Sequence, residues 1–183
     1  VTDKVIYSYE DRYDNFVVAL VHIDLASIKN VLILGYGLGS IPHIAEKVYN
    51  KTFNYTAIEI DPEIIRLALK YTMPELKSTI DLIESDAFTY MKYEEALYDL
   101  ICFDVFLNDI IPSKFLNQSF LEKLKLRLTE AGVLVINMLY HTDQDRISTN
   151  AYVNTVFTKV FTVHKTVFVR NNLMIFGWKS SIA

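Results

Sequence analysis

Three of the chain's five glycines stand within five residues, in Gly35-Tyr36-Gly37-Leu38-Gly39-Ser40. Glycines so spaced let the backbone turn sharply and bring its N–H groups close to a ligand. The spacing is G-x-G-x-G, which departs from the G-x-G-x-x-G fingerprint of dinucleotide sites. A tight strand-to-helix turn with no ligand would use the same residues. Three acids follow. Glu59 comes twenty residues after Gly39, and a carboxylate there can accept from both hydroxyls of a ribose. Asp86 can accept from an adenine exocyclic amine while Ala87 offers its N–H. Asp104 can take a proton from an amine. Each acid also has a plainer use: Glu59 as charge at the start of a helix, Asp86 as an N-cap, Asp104 as a loop cap. Together, in this order, they point to an adenosyl ligand.

The site requires a frame of alternating strands and helices. Phe16, Ala19, Leu20, Ile23 and Ala26 share one face of a helix predicted over 10–27. Val31 to Leu34 is a short continuous apolar run, as expected of a strand buried on both faces. Helix is predicted from Ser40 to about Asn50, strand over 55–60, and helix over 62–71 with Asp61 as N-cap and Pro62 in the first turn. Strand over 79–84 and a short helix from Asp86 to about Tyr93 come next. Asp99 to Phe103 is a further strand, Ser113 to Leu128 a helix, Glu130-Ala131-Gly132 a turn, and Val133 to Met138 the fifth strand. Helix over 147–160 precedes two strands, 161–170 and 173–178, joined at Asn171-Asn172, a pair that tolerates positive φ. Parallel strands with right-handed crossovers, closed by one antiparallel hairpin, follow from this order.

The whole chain of 183 residues suits one domain, with a helical segment over 1–29 and a core over 30–183. Its hydrophobic content of 51% supports a core without disulfides. The lone Cys102 sits in an apolar run and reads as core; a reducing compartment and a cytoplasmic location are the expectation. Net charge is −4 with no basic stripe, which argues against nucleic acid as the main partner. No apolar stretch approaches membrane-spanning length. His22, His43, His141 and His164 lack metal-ligand spacing, so no metal is expected. Val1 in place of an initiator Met leads to the expectation that upstream sequence is missing.

The segments VLILGYGLGS, AIEIDPEII, ESDAF, YDLICFDVFLNDIIPSKF and AGVLVINM resemble the spermidine synthase family and its methyltransferase-like relatives, from about Tyr7 to Trp178. The resemblance implies an α/β, Rossmann-like class I methyltransferase fold with a mostly parallel seven-stranded sheet and a C-terminal antiparallel hairpin. It makes Gly35, Gly37 and Gly39 the glycine loop, Glu59 the ribose-binding acid, and Asp86 with Ala87 the adenine-binding pair. Asp104 matches the acid that deprotonates the attacking amine. Tyr9, in Ser8-Tyr9, is similar to a tyrosine of the amine pocket. The departures are specific. Leu38 stands where the synthases carry an aspartate, and Asp104-Val105-Phe106-Leu107-Asn108-Asp109 replaces their Asp-Ser-Ser-Asp-Pro. Asp109 is the shifted remnant of the second acid, or an ordinary loop residue.

The implied co-substrate is S-adenosylmethionine or its decarboxylated form. The implied reaction is transfer of a methyl or aminopropyl group to a small, amine-bearing acceptor. The two departures count against aminopropyl transfer to putrescine. Tyr36, Phe106 and Tyr140 can wall the adenosyl group, with Tyr140 a candidate substrate contact beside Tyr9 and Asp109. A homodimer is allowed. A non-catalytic adenosyl-nucleotide-binding or interaction module retaining the fold is the alternative, and an NAD-dependent oxidoreductase a third reading, disfavoured by the glycine spacing and the hairpin. Replacing Glu59 with Ala is expected to weaken adenosyl binding yet spare the fold, because the residue ends its strand.

Overall fold

The computed structural model describes residues 14–107 and 110–180. Among them the strands are β1 (Asn30–Leu34), β2 (Asn54–Glu59), β3 (Thr79–Glu84), β4 (Tyr98–Phe103), β5 (Leu128–Leu139), β6 (Val163–Val169) and β7 (Asn172–Trp178). They form one sheet in the order β3-β2-β1-β4-β5-β7-β6. The first five strands run parallel; β7 is antiparallel to both β5 and β6. The expected mostly parallel sheet with its closing hairpin is therefore what the chain builds. Helices α1 (Asp14–Val21), α2 (Ser40–Lys47), α3 (Pro62–Leu67), α4 (Ala87–Tyr90), α5 (Gln118–Leu126), α6 (Asp143–Tyr152) and α7 (Thr158–Val160) cover the two faces.

Strand periodicity sorts the core. Val31, Ile33, Leu100, Cys102, Val133 and Val135 point to the face that packs Phe16, Leu20 and Ile44 of α1 and α2. Their neighbours Leu32, Leu34, Ile101, Phe103, Leu134 and Ile136 point to the other, against Phe120, Leu124 and Tyr152 of α5 and α6. Successive side chains alternate across a strand, so a strand covered on both faces must be apolar throughout.

Several boundaries differ from expectation, each for a local reason. The opening helix ends at Val21, so Ile23 and Ala26 lie outside it. Asp24 stops it: its carboxylate accepts from the Ala26 N–H at 3.0 Å and its carbonyl from the Ser27 hydroxyl at 2.8 Å. The helix predicted over 113–128 is a 3₁₀ turn over Ser113–Phe115 and then α5, because Asn117 caps α5 by accepting from the Phe120 N–H. The predicted turn at Glu130-Ala131-Gly132 lies inside β5, where pairing with β4 jumps from Tyr98↔Leu128 to Leu100↔Val133 in a bulge. The helix expected from Ile147 starts at Asp143, behind a capping box made by Thr142 and Asp145. In the terminal hairpin the positive φ belongs to Arg170, at 52°, one residue ahead of the predicted asparagine pair. Arg170 also forms an ion pair with Asp14, which fastens the hairpin to α1. No helix among the described residues is long and apolar enough to cross a membrane.

Gly177 on β7 shows how closely the hairpin packs. A Cβ there would lie 2.5 Å from the Phe161 ring and 2.8 Å from Phe157, two fully buried stacked rings. Gly177→Ala should therefore cost roughly 1–3 kcal/mol through overpacking. Thermal denaturation would read this as a fall of roughly 2–4 °C per kcal/mol in a chain of this size. An unchanged midpoint would mean the rings shift freely.

Candidate functional site

The carboxyl ends of β1, β2, β3 and β4 surround a cavity of about 390 Å³, within the range for small-molecule sites. Its floor is the glycine loop. Gly35, Gly37 and Gly39 all have positive φ, at 87°, 58° and 83°. At Gly35 the requirement is also one of space: a Cβ would come within 2.4 Å of the Asp104 carbonyl oxygen. Gly35 N–H donates to the Ile58 carbonyl at 2.9 Å, and Asp104 N–H donates to the Leu34 carbonyl at 2.9 Å. The loop and the residue after β4 are thereby locked side by side.

Glu59, Asp86, Ala87 and Asp104 all line this cavity with Gly35 and Gly37. Gly39 does not line it; the residue N-caps α2, and a Cβ there would meet the Tyr36 hydroxyl at 2.6 Å. Tyr9 and Asp109 lie outside the described residues. Tyr140 is placed elsewhere. Its hydroxyl donates to Asn150 at 3.1 Å, its N–H to the Asn171 carbonyl, and its ring packs on Phe168. The hairpin, and not the cavity, takes that side chain. Tyr36 and Phe106 do line the cavity, as an apolar wall.

Glu59 is only 7% exposed. Its Oε2 accepts from Gly37 N–H at 2.8 Å, and its Oε1 from Ile60 N–H at 2.9 Å and Asp61 N–H at 3.1 Å. Three of the roughly four acceptor directions of a carboxylate are thus taken by the backbone. The acid is both a candidate ligand contact and the group that holds the loop, which argues against the expectation that Glu59→Ala spares the fold. Asp86 likewise serves its own chain. It caps α4 through Thr89 N–H at 2.9 Å and pairs with Lys114 Nζ at 2.5 Å. Burial works to raise the Asp86 carboxyl pKa, but the Lys114 and Thr89 bonds outweigh it and hold the group below the usual carboxylate range.

Asp104 accepts from Asn137 Nδ2 at 2.9 Å. Beneath it, burial pushes the Cys102 thiol pKa up, and the Asp104 charge adds to this; Cys102 is a core residue with a protonated thiol. No cluster that could hold a metal ion occurs among the described residues. Two residues at the site had no assigned part in the sequence. Lys114, a wall residue, was visible only as a charge in an apolar stretch. Asn137, 1% exposed, was legible as a single amide inside the apolar run Val133 to Leu139.

Residues 10–180 match the spermine/spermidine synthase domain. The chain belongs to that family. The synthase-family domain is 30% identical over 112 residues to the polyamine aminopropyltransferase of Vibrio vulnificus, covering 60% of this chain and 37% of that protein. It is also 30% identical over 121 residues to the human eEF1A lysine and N-terminal methyltransferase, covering 60% of this chain and 17% of the relative. Among solved structures, human methyltransferase-like protein 13 in complex with SAH superposes with a TM-score of 0.69 at 25% identity, over 84% of this chain and 73% of that one. The synthase-family domain thus spans well under half the length of these two relatives. The fold is that of the methyltransferase and spermidine synthase structures.

Glu59→Ala would strand three backbone N–H groups, each costing about 1–3 kcal/mol if it stays buried and unpaired. The variant should melt well below wild type, and Glu59→Gln, which keeps one acceptor oxygen, should fall between them. Equal melting of all three would remove Glu59 as the organiser of the loop. The Lys114–Asp86 pair gives a pH signature. Because the folded Asp86 value is lowered, its stabilisation is complete above about 3.9, the ordinary aspartate value. It fades as pH falls through the lowered value. Lys114→Met should shrink the acid-side loss of stability; an identical pH profile would discount the pair.

Proposed function

We propose that this domain binds S-adenosylmethionine or its decarboxylated form in the cavity above β1–β4 and transfers an alkyl group to a small amine-bearing acceptor. The observation that carries the reading is the convergence of the glycine loop, Glu59, Asp86 with Ala87, and Asp104 on one cavity of ligand size. The residues fit the group. Glu59 Oε2 has one acceptor direction left for a ribose hydroxyl, Ile60 and Tyr36 flank it, and Ala87 lies at the adenine end. The relatives' names point the same way, to aminopropyl and methyl transfer.

The sulfonium supplies an activated carbon and a good leaving group, so the protein's task is alignment. An acceptor amine must be neutral to attack. Asp104, beside the glycine loop, takes the proton from the acceptor's ammonium nitrogen. The nitrogen lone pair then forms the new N–C bond as the S–C bond breaks, and the bonding pair of that S–C bond stays on sulfur, leaving a neutral thioether. Leu38 adds apolar surface where a second carboxylate would grip a diamine.

The second reading, a non-catalytic module, draws on one observation: Glu59 and Asp86 are already engaged by their own chain. Calorimetry with S-adenosylmethionine and S-adenosylhomocysteine separates the two. Binding of either in the micromolar range supports the proposal, and no heat at millimolar ligand favours the module. Asp104→Asn, nearly isosteric, should retain binding while losing turnover by about 10²–10⁴-fold on the acceptor. With decarboxylated donor and putrescine, no spermidine should form; robust turnover would overturn that part.

A further inference from the structure

The synthase-family domain carries a second polar group at the reacting end, Asn137, to which sequence alone assigns no role. Asn137 sits near the carboxyl end of β5, paired with Met174 in β7 and 1% exposed. A buried amide in an apolar strand is costly unless its hydrogen bonds are made. Here Asn137 Nδ2 donates to Asp104 Oδ1 at 2.9 Å. Its Oδ1 accepts from Asn172 Nδ2 at 2.9 Å, and at 3.5 Å from Asn15 Nδ2. Asn172 opens β7 at the hairpin turn, and Asn15 lies on α1, which the Arg170–Asp14 ion pair fastens to the same turn.

The direction of these bonds is fixed by chemistry. An ionised carboxylate only accepts, so Asn137 must present its amino group to Asp104. Its oxygen must then face the other two asparagines, which present amino groups in turn. Flipping Asn137 would set oxygen against oxygen at Asp104 and amino group against amino group at Asn172. The orientation is therefore held from both ends.

We propose that Asn137, held by Asn172, is a positioning residue for Asp104: by engaging Oδ1 it fixes the orientation in which the carboxylate meets the acceptor. This rests on the reading of Asp104 as the base. The engaged oxygen also stabilises the ionised form, since a hydrogen bond to the charged carboxylate favours it. Asn137 itself exchanges no proton.

The test follows the Asp104 side-chain carboxyl by carbon-detected NMR in the isotopically labelled full chain, across a pH series. Two variants are compared with wild type. Asn137→Asp replaces the donor by a second carboxylate, so the Asp104 midpoint should rise by more than about one unit as the two share a proton. Asn172→Ala leaves Asn137 in place and removes the donor to its Oδ1. It should still shift the Asp104 midpoint upward, by releasing the Asn137 amide. Should Asn137→Asp fail to fold, as judged by circular dichroism, the partly exposed Asn172 site carries the decision alone. An Asp104 midpoint in folded Asn172→Ala equal to wild type overturns the proposal, because a merely structural Asn137 would leave it unmoved. S-adenosylhomocysteine calorimetry on the wild type separates the two failures. No binding with a shifted midpoint sinks the adenosyl reading alone, whereas binding with no shift sinks the positioning role alone.

Discussion

The backbone contact between Gly35 and Asp104 is the constraint on which the site depends. β1 and β4 are neighbours in the sheet, and both must end where the chain departs in different directions. Asp104 N–H closes the last rung onto Leu34, and the Asp104 carbonyl then lies against Gly35 with no room for a side chain. A methyl group at residue 35 would push the two strand ends apart. The glycine loop and the acid that follows β4 are thus one unit, set by the parallel pairing of two strands far apart in sequence. From that unit the cavity takes its floor, and the reacting end takes its place relative to the loop.

Much of the frame was legible because strands buried on both faces have a plain signature. Val31–Leu34 and Leu100–Phe103 are apolar without interruption, and a run that short has few other uses in an α/β domain. Asp61-Pro62 marked a helix start, and Asp61 does accept from the Glu63 N–H. The order of glycine loop, Glu59, Asp86 and Asp104 was legible because parallel strands bring successive carboxyl ends to one edge, whatever lies between.

What stayed hidden depended on partners distant in sequence. Nothing local says that Glu130 to Gly132 continues a strand; only the bulge against Tyr98 and Leu100 shows it. The grip of Lys114 on Asp86 spans 28 residues, and that of Asn137 on Asp104 spans 33. Tyr140 looked like a site residue because it follows a strand's carboxyl end. β5, however, is flanked by the antiparallel hairpin, and the neighbours that claim the side chain there, Phe168 and Asn150, belong to β6 and α6. A position at the end of a strand carries chemistry only where the adjoining strands also end and open a crevice.

Glu59 bears a wider consequence. Because its carboxylate ties down Gly37, Ile60 and Asp61, a chain of this fold would keep the acid for the sake of its own backbone even after losing every ligand. An acidic residue ending the second strand is then poor evidence, by itself, for separating active relatives from retired ones. Better markers are groups that the scaffold can spare, whose loss leaves the architecture standing. Among the wall residues, Leu38 is of that kind: it belongs to neither core cluster, and its exchange between relatives would record a change of ligand and not a change in what the fold needs.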